Sequence, residues 1–157
     1  MRHNQRQKRL KILVLIVMMA VFGIYACSAN VNDDLVQAAM TGDAKTIERL
    51  LGEGADVNAK DSKYHATALM WAAHNGHAAA VRILLNRGAA IDEKGAAGES
   101  ALWFAAQQGQ VETLRILAES GADIDVIGRD GDSAISIATK NGHTPVVEYL
   151  IEAGAEK

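Results

Sequence analysis

A short block recurs four times along the chain, and no other feature restricts the fold as strongly. Gly54-Ala55-Asp56 returns as Gly88-Ala89-Ala90, Gly121-Ala122-Asp123 and Gly154-Ala155-Glu156, at spacings of 34, 33 and 33 residues. A second glycine keeps the same period at Gly42, Gly76, Gly109 and Gly142. Between the two series lie three alignable segments, Thr67 to His77 (TALMWAAHNGH), Ser100 to Gln110 (SALWFAAQQGQ) and Ser133 to His143 (SAISIATKNGH). A period of this length marks an array of small supersecondary units, none of which can bury its apolar face alone. Composition sets the class of unit. Aromatic residues are 4% and there is one proline against 14 glycines, which disfavours a β-sandwich or barrel. Hydrophobic residues at 49% are enough for a helical core.

Within a unit the spacing is helical. Leu69, Ala72 and Ala73 fall at i, i+3 and i+4, followed by Val81, Leu84 and Leu85 on a second helix. Thr67, Ser100 and Ser133 sit where an N-cap must accept from orphan N–H groups. Gly76, Gly109 and Gly142 sit where those helices end. Pro145 opens the last second helix, where its missing N–H does no harm. Helices of about eight to ten residues do not persist alone in water, so each must be held by its neighbours.

These segments resemble the ankyrin repeat, whose unit is a T-P-L-H-x-A-A-x-x-G-H helix, a second helix rich in V-x-x-L-L, and a G-A-D-x-N turn. The resemblance implies an all-α repeat fold, an ankyrin solenoid of helix-turn-helix units joined by β-hairpin-like loops. The ankyrin-repeat domain is expected over 33–157, with units at about 33–61, 62–94, 95–127 and 128–157. The family's Pro and His of T-P-L-H are replaced by Ala68 and Met70, Ala101 and Trp103, and Ala134 and Ser136. Loss of that His implies looser turns between units. The longer first interval is assigned to one extra residue in the tip from Asp61 to His65.

The N-terminus has a separate character. Arg2, Arg6, Lys8, Arg9 and Lys11 precede an apolar run from Ile12 to Ala26, and no acidic residue occurs before Asp33. Fifteen residues are too few to span a bilayer comfortably and suit a secretory signal of 1–26. The run ends Ile24-Tyr25-Ala26-Cys27-Ser28, which resembles a bacterial lipoprotein signal peptide. Ile24, Ala26 and Cys27 match that pattern, and Tyr25 stands where a small residue is usual. The resemblance implies that Cys27 is lipidated and that 27–32 are the modified cysteine and a short tether. Ser28 in place of Asp implies the outer membrane, on the periplasmic side of the cell envelope. A retained signal anchor in the inner membrane and ordinary cleavage near Ser28 or Ala29 remain open alternatives. Cys27 is the only cysteine, so no intramolecular disulfide framework exists, and acylation would remove a free thiol from an oxidising compartment.

Chemistry is sparse. Removing 1–26 leaves 11 basic against 19 acidic residues, a net charge of −8, which argues against nucleic acid as a partner. No phosphate-binding glycine loop is present, and no Ser or Cys is placed with a His for nucleophilic catalysis. His65, His74 and His77 are the nearest approach to a metal motif, but Gly76 interrupts the helix that would align them. Asp92, Glu93, Asp123 and Asp125 recur with the repeat and read as a solvated face. No catalytic residue, metal, cofactor or small-molecule substrate is expected.

What remains is surface. In an ankyrin stack the residues two, five and six positions after Leu69, Leu102 and Ile135 face the concave side. They are Trp71, His74 and Asn75, then Phe104, Gln107 and Gln108, then Ile137, Lys140 and Asn141. The hairpin tips add Lys63, Tyr64, Glu99, Arg129, Asp130 and Asp132. Trp71, Phe104 and Ile137 make an apolar strip with the character of an interface anchor, and sealing of the helix packing is the competing reading. The expected function is a monomeric, non-enzymatic protein-interaction module tethered in the bacterial envelope by an N-terminal lipid. A narrower version protects or localises an envelope enzyme. The alternative is an inner-membrane, signal-anchored ankyrin protein beside a transporter or secretion complex.

Overall fold

The computed structural model describes residues 30–155. Eight α-helices occur among them: α1 (Val31–Thr41), α2 (Ala44–Gly52), α3 (Ala68–His74), α4 (Ala78–Asn86), α5 (Ala101–Gln108), α6 (Val111–Glu119), α7 (Ala134–Lys140) and α8 (Thr144–Glu152). They form four antiparallel pairs in which α1, α3, α5 and α7 make one layer and α2, α4, α6 and α8 the other. The principal packing of each helix is on its own pair partner and on the equivalent helix of the adjoining unit, so the core is a continuous seam. Leu35, Leu69, Leu102 and Ile135 are buried at one register of the first helices, and Leu50, Leu84, Leu117 and Leu150 at one register of the second. Helix α1 begins at Val31, so Val31 and Asn32, read from the sequence as tether, are helical.

Local signals act where the sequence places them. The side chains of Thr67, Ser100 and Ser133 accept from the N–H groups of Met70, Trp103 and Ser136. Pro145 lies in the first turn of α8. The loops are hairpin-like, with isolated antiparallel bridges pairing Lys60 with Thr67 and Ile127 with Ser133. The first bridge encloses one residue more than the second, which accounts for the longer first interval.

A ladder of polar bonds joins the units. His77 Nε2 lies 3.1 Å from the Met40 carbonyl, Gln110 Nε2 donates to the His74 carbonyl at 3.3 Å, and His143 Nε2 lies 2.9 Å from the Gln107 carbonyl. Each acceptor sits at the end of a first helix, where carbonyls have no partner within the helix. The His side chains must therefore carry their proton on Nε2. A second ladder runs through the turns, from the Asp56, Ala90 and Asp123 N–H groups to Asn32 Oδ1, Asn58 Oδ1 and Asp92 Oδ1 of the preceding unit. Asp92 thus has a structural task beyond solvation.

The turns lacking the family His do not all lose their stitching. Trp103 is buried, and its indole Nε1 donates to the Asp132 carbonyl of the next tip at 3.0 Å. Gly128 makes room, since a Cβ there would stand 2.6 Å from that nitrogen. Met70 Sδ accepts from the Thr67 N–H, and Ser136 Oγ donates to Asp132 Oδ1.

Candidate functional site

Asp61 organises the first hairpin tip. Its carboxylate accepts from the N–H groups of Lys63 at 2.9 Å, Tyr64 at 2.6 Å and Ala66 at 3.3 Å, and from Trp71 Nε1 at 2.9 Å. Partial burial by itself would raise this carboxyl. The bonds from Tyr64, Trp71, Lys63 and Ala66 outweigh it and hold the group below the ordinary 3.8. Asp61 thereby fixes both the tip and the orientation of the Trp71 indole.

From Trp71 a row of rings crosses two units. Tyr64 meets Trp71 edge-on with centroids 5.5 Å apart, Trp71 meets His74 at 5.7 Å, His74 meets Phe104 at 5.8 Å, and Phe104 meets Trp103 at 5.6 Å. All four contacts are T-shaped, the arrangement that the ring quadrupoles favour. The row floors an open cavity of about 520 Å³ between the second and third units, with Lys63, Gln107 and Arg129 at its sides. Trp71 and Phe104 pack against the core and also face this cavity, each half-buried, so sealing and display are combined in the same side chains.

Glu99 does not stand at the surface as its tip position suggested. The residue is 2% exposed, its Oε1 accepts from Arg129 Nε and Nη2 at 3.1 Å, and its Oε2 accepts from the Ala97 N–H at 2.9 Å. Close backbone approach turns it inward: Gly95 donates to the Glu99 carbonyl at 2.8 Å, and a Cβ on Gly95 would crowd the carboxylate. Arg129 remains well exposed while pinned at one end.

Of the residues expected on this face, Tyr64, Trp71, His74, Phe104, Gln107 and Arg129 line the groove. The others are placed elsewhere. Asn75 and Asn141 are exposed, and their Nδ2 groups donate to the carbonyls of Met40 and Gln107 and so reinforce the ladder between units. Lys140 is paired to Asp132 at 2.6 Å, Gln108 is exposed, and Ile137 packs half-buried against the core. None of these five lines the groove: Ile137, Lys140 and Asn141 lie one unit beyond it, and Asn75 and Gln108 fall one residue past His74 and Gln107, which do line it. Lys63 and Glu99, expected at the hairpin tips, line it too, and Met70 and Trp103 line it without having been singled out as binding residues. Their signal was present in the sequence, since Met70 and Trp103 occupy the position of the missing His. Cys27 and the segment 1–26 lie outside the described residues.

His65 is exposed and His77 is committed to the Met40 carbonyl. Among the described residues no group of three His, Cys, Asp or Glu converges as a metal site. His74 is half-buried in the ring row with Nδ1 lacking a partner among the described residues, and burial lowers its pKa below the ordinary 6.5.

A stack of paired short helices, with a groove of rings on its first-helix layer, has the architecture of a repeat-type module. A family model of ankyrin repeats (three copies) matches residues 35–128 and 91–157. The chain belongs to the ankyrin-repeat family, whose members serve generally as non-enzymatic protein–protein interaction modules. No curated protein matches the chain.

Proposed function

We propose that this chain is a lipid-tethered interaction module of the bacterial cell envelope, which holds a protein partner in the groove between its second and third units and at the flanking hairpin tips. One observation carries the reading: a preformed, aromatic-floored groove of about 520 Å³ on a family scaffold used for protein binding. Rigid rings lose little entropy on contact and act as anchors. The tether is supported by the basic start, the apolar run and Cys27 in its lipoprotein-like context. Among the described residues no helix is long and apolar enough to cross a membrane.

Crosslinking from intact envelopes identifies the partner. Trp71→Ala and Phe104→Ala each weaken its capture by about 1–3 kcal/mol, the usual scale for anchor residues. Glu112→Lys leaves capture unchanged, because Glu112 lies on the second-helix layer in an exposed pair with Arg82. Loss of affinity that tracks only the unfolded fraction of the alanine variants would assign both rings to packing alone. Mass spectrometry of the membrane fraction shows an acylated N-terminal Cys27 that Cys27→Ser abolishes. An intact Met1 would place the chain instead among inner-membrane anchored proteins.

A further inference from the structure

The groove points its two kinds of charge in opposite directions. Glu99 is turned inward, its side chain 3% exposed and occupied by Arg129 and the Ala97 N–H. Asp61 is occupied by four donors from its own tip and Trp71. The cations are turned outward. Arg129 keeps 62% of its side chain exposed and engages a single oxygen of Glu99 through Nε and Nη2. Lys63 stands 4.7 Å from the centre of the Tyr64 ring and also lines the groove. An arriving group therefore meets guanidinium and ammonium donors at the rim and rings below.

We propose that the groove takes an extended peptide segment of the partner in which an aromatic or aliphatic side chain is flanked by Asp or Glu, the apolar side chain lying on the Trp71–Phe104 row and a flanking carboxylate on Arg129 or on Lys63. This rests on the groove being the partner-binding face. Guanidinium donors suit a carboxylate in geometry and charge. A cavity of this size accepts one or two large side chains. A cationic anchor would find ring faces, but would bring its charge against Arg129 and Lys63 while the neighbouring carboxylates are already satisfied. The net charge of −8 on the body acts at longer range and is screened beyond about 10 Å at ordinary salt, whereas the groove charges act at contact.

The chain has two tryptophans, Trp71 and Trp103, and both line the groove, so their fluorescence reports occupancy. Short random peptides displayed on phage are selected against the full chain in detergent, and enriched peptides are titrated while that fluorescence is followed. Enriched peptides are expected to carry Asp or Glu beside an aromatic or aliphatic residue and to shift the fluorescence. Replacing their acidic residue by its amide weakens them about tenfold, as expected for losing a hydrogen bond to a charged group. Lys63→Gln, which leaves the buried Glu99 pair untouched, and the double variant Glu99→Gln with Arg129→Gln, which leaves no uncompensated buried charge, each reduce that preference. Basic or uncharged peptides that shift the fluorescence would overturn the carboxylate assignment while leaving the groove as the interface. Failure to enrich any peptide, or binding that leaves the tryptophans unchanged, would overturn both.

Discussion

His65 is the clearest case of one residue at odds with its conformation. It has φ 51°, at the hairpin position where the next two units place Gly98 at φ 88° and Gly131 at φ 80°. A left-handed conformation costs a residue with a Cβ about 1–2 kcal/mol, partly offset because glycine gains freedom in the unfolded chain. His65→Gly should stabilise the protein by up to about 1 kcal/mol, seen as a higher thermal midpoint. A lower midpoint would mean that the exposed imidazole makes contacts worth more than the strain. Thr113 presents the opposite fault. It is 1% exposed on α6, and its Oγ1 has no partner among the described residues. Thr113→Val should add about 1 kcal/mol in urea unfolding by removing an unsatisfied hydroxyl. His74 links stability to pH. With its folded pKa lowered by burial, the unfolded chain takes up the proton first as pH falls through 6.5, so stability drops from there down to the folded value and not below it. His74→Gln should flatten that part of the pH profile relative to the unaltered chain, and an identical slope in both would refute the assignment.

At the scale of elements, the first helices of the first three units end in glycines, Gly42, Gly76 and Gly109, that serve the next unit as well as their own. Gly109 has φ 73°, and a Cβ there would stand 2.6 Å from His143 Nδ1. Gly142 has φ 75° with nothing within 4 Å, because no later unit packs on it among the described residues. Gly142→Ala should therefore cost only the left-handed strain, about 1–2 kcal/mol, whereas Gly109→Ala adds a displaced His143 and should cost about 2–4 kcal/mol. Equal losses in denaturant melts would show that the ladder yields freely. The helices themselves were readable from periodicity and caps, since those are local. The ladder partners were not, because Gln110 and His143 reach carbonyls in another unit, and no sequence pattern encodes which neighbour accepts.

Over the whole molecule, stability is the sum of similar interfaces between successive units. Among the described residues, helix α8 has a neighbouring second helix on one side only, and Ile151 on it is 46% exposed. Opening should begin there, while the units carrying Trp71 and Trp103 are held from both sides. Tryptophan fluorescence should accordingly show a higher denaturant midpoint than helical circular dichroism, and α8 should exchange its amide hydrogens faster than α3 to α6. Coincident midpoints would mean that the four units unfold as one cooperative body.

The period of 33 to 34 residues, the helical spacing of Leu69, Ala72 and Ala73, and the caps at Thr67, Ser100 and Ser133 were enough to fix units, element order and fold class. They are local rules repeated four times, so each copy confirmed the others. The groove depended on what the stack brings together. Trp71 and Phe104 carried a visible apolar signal, but Asp61 clamping the indole, Glu99 turning under Arg129, and Asn75 and Asn141 leaving the binding face for the ladder all arise from contacts between separate turns or units. A side chain's period along the chain says which face of its helix it occupies. Whether it then points into open space or into a neighbour's backbone is set by the packing of the next unit, and that exists only in the folded stack.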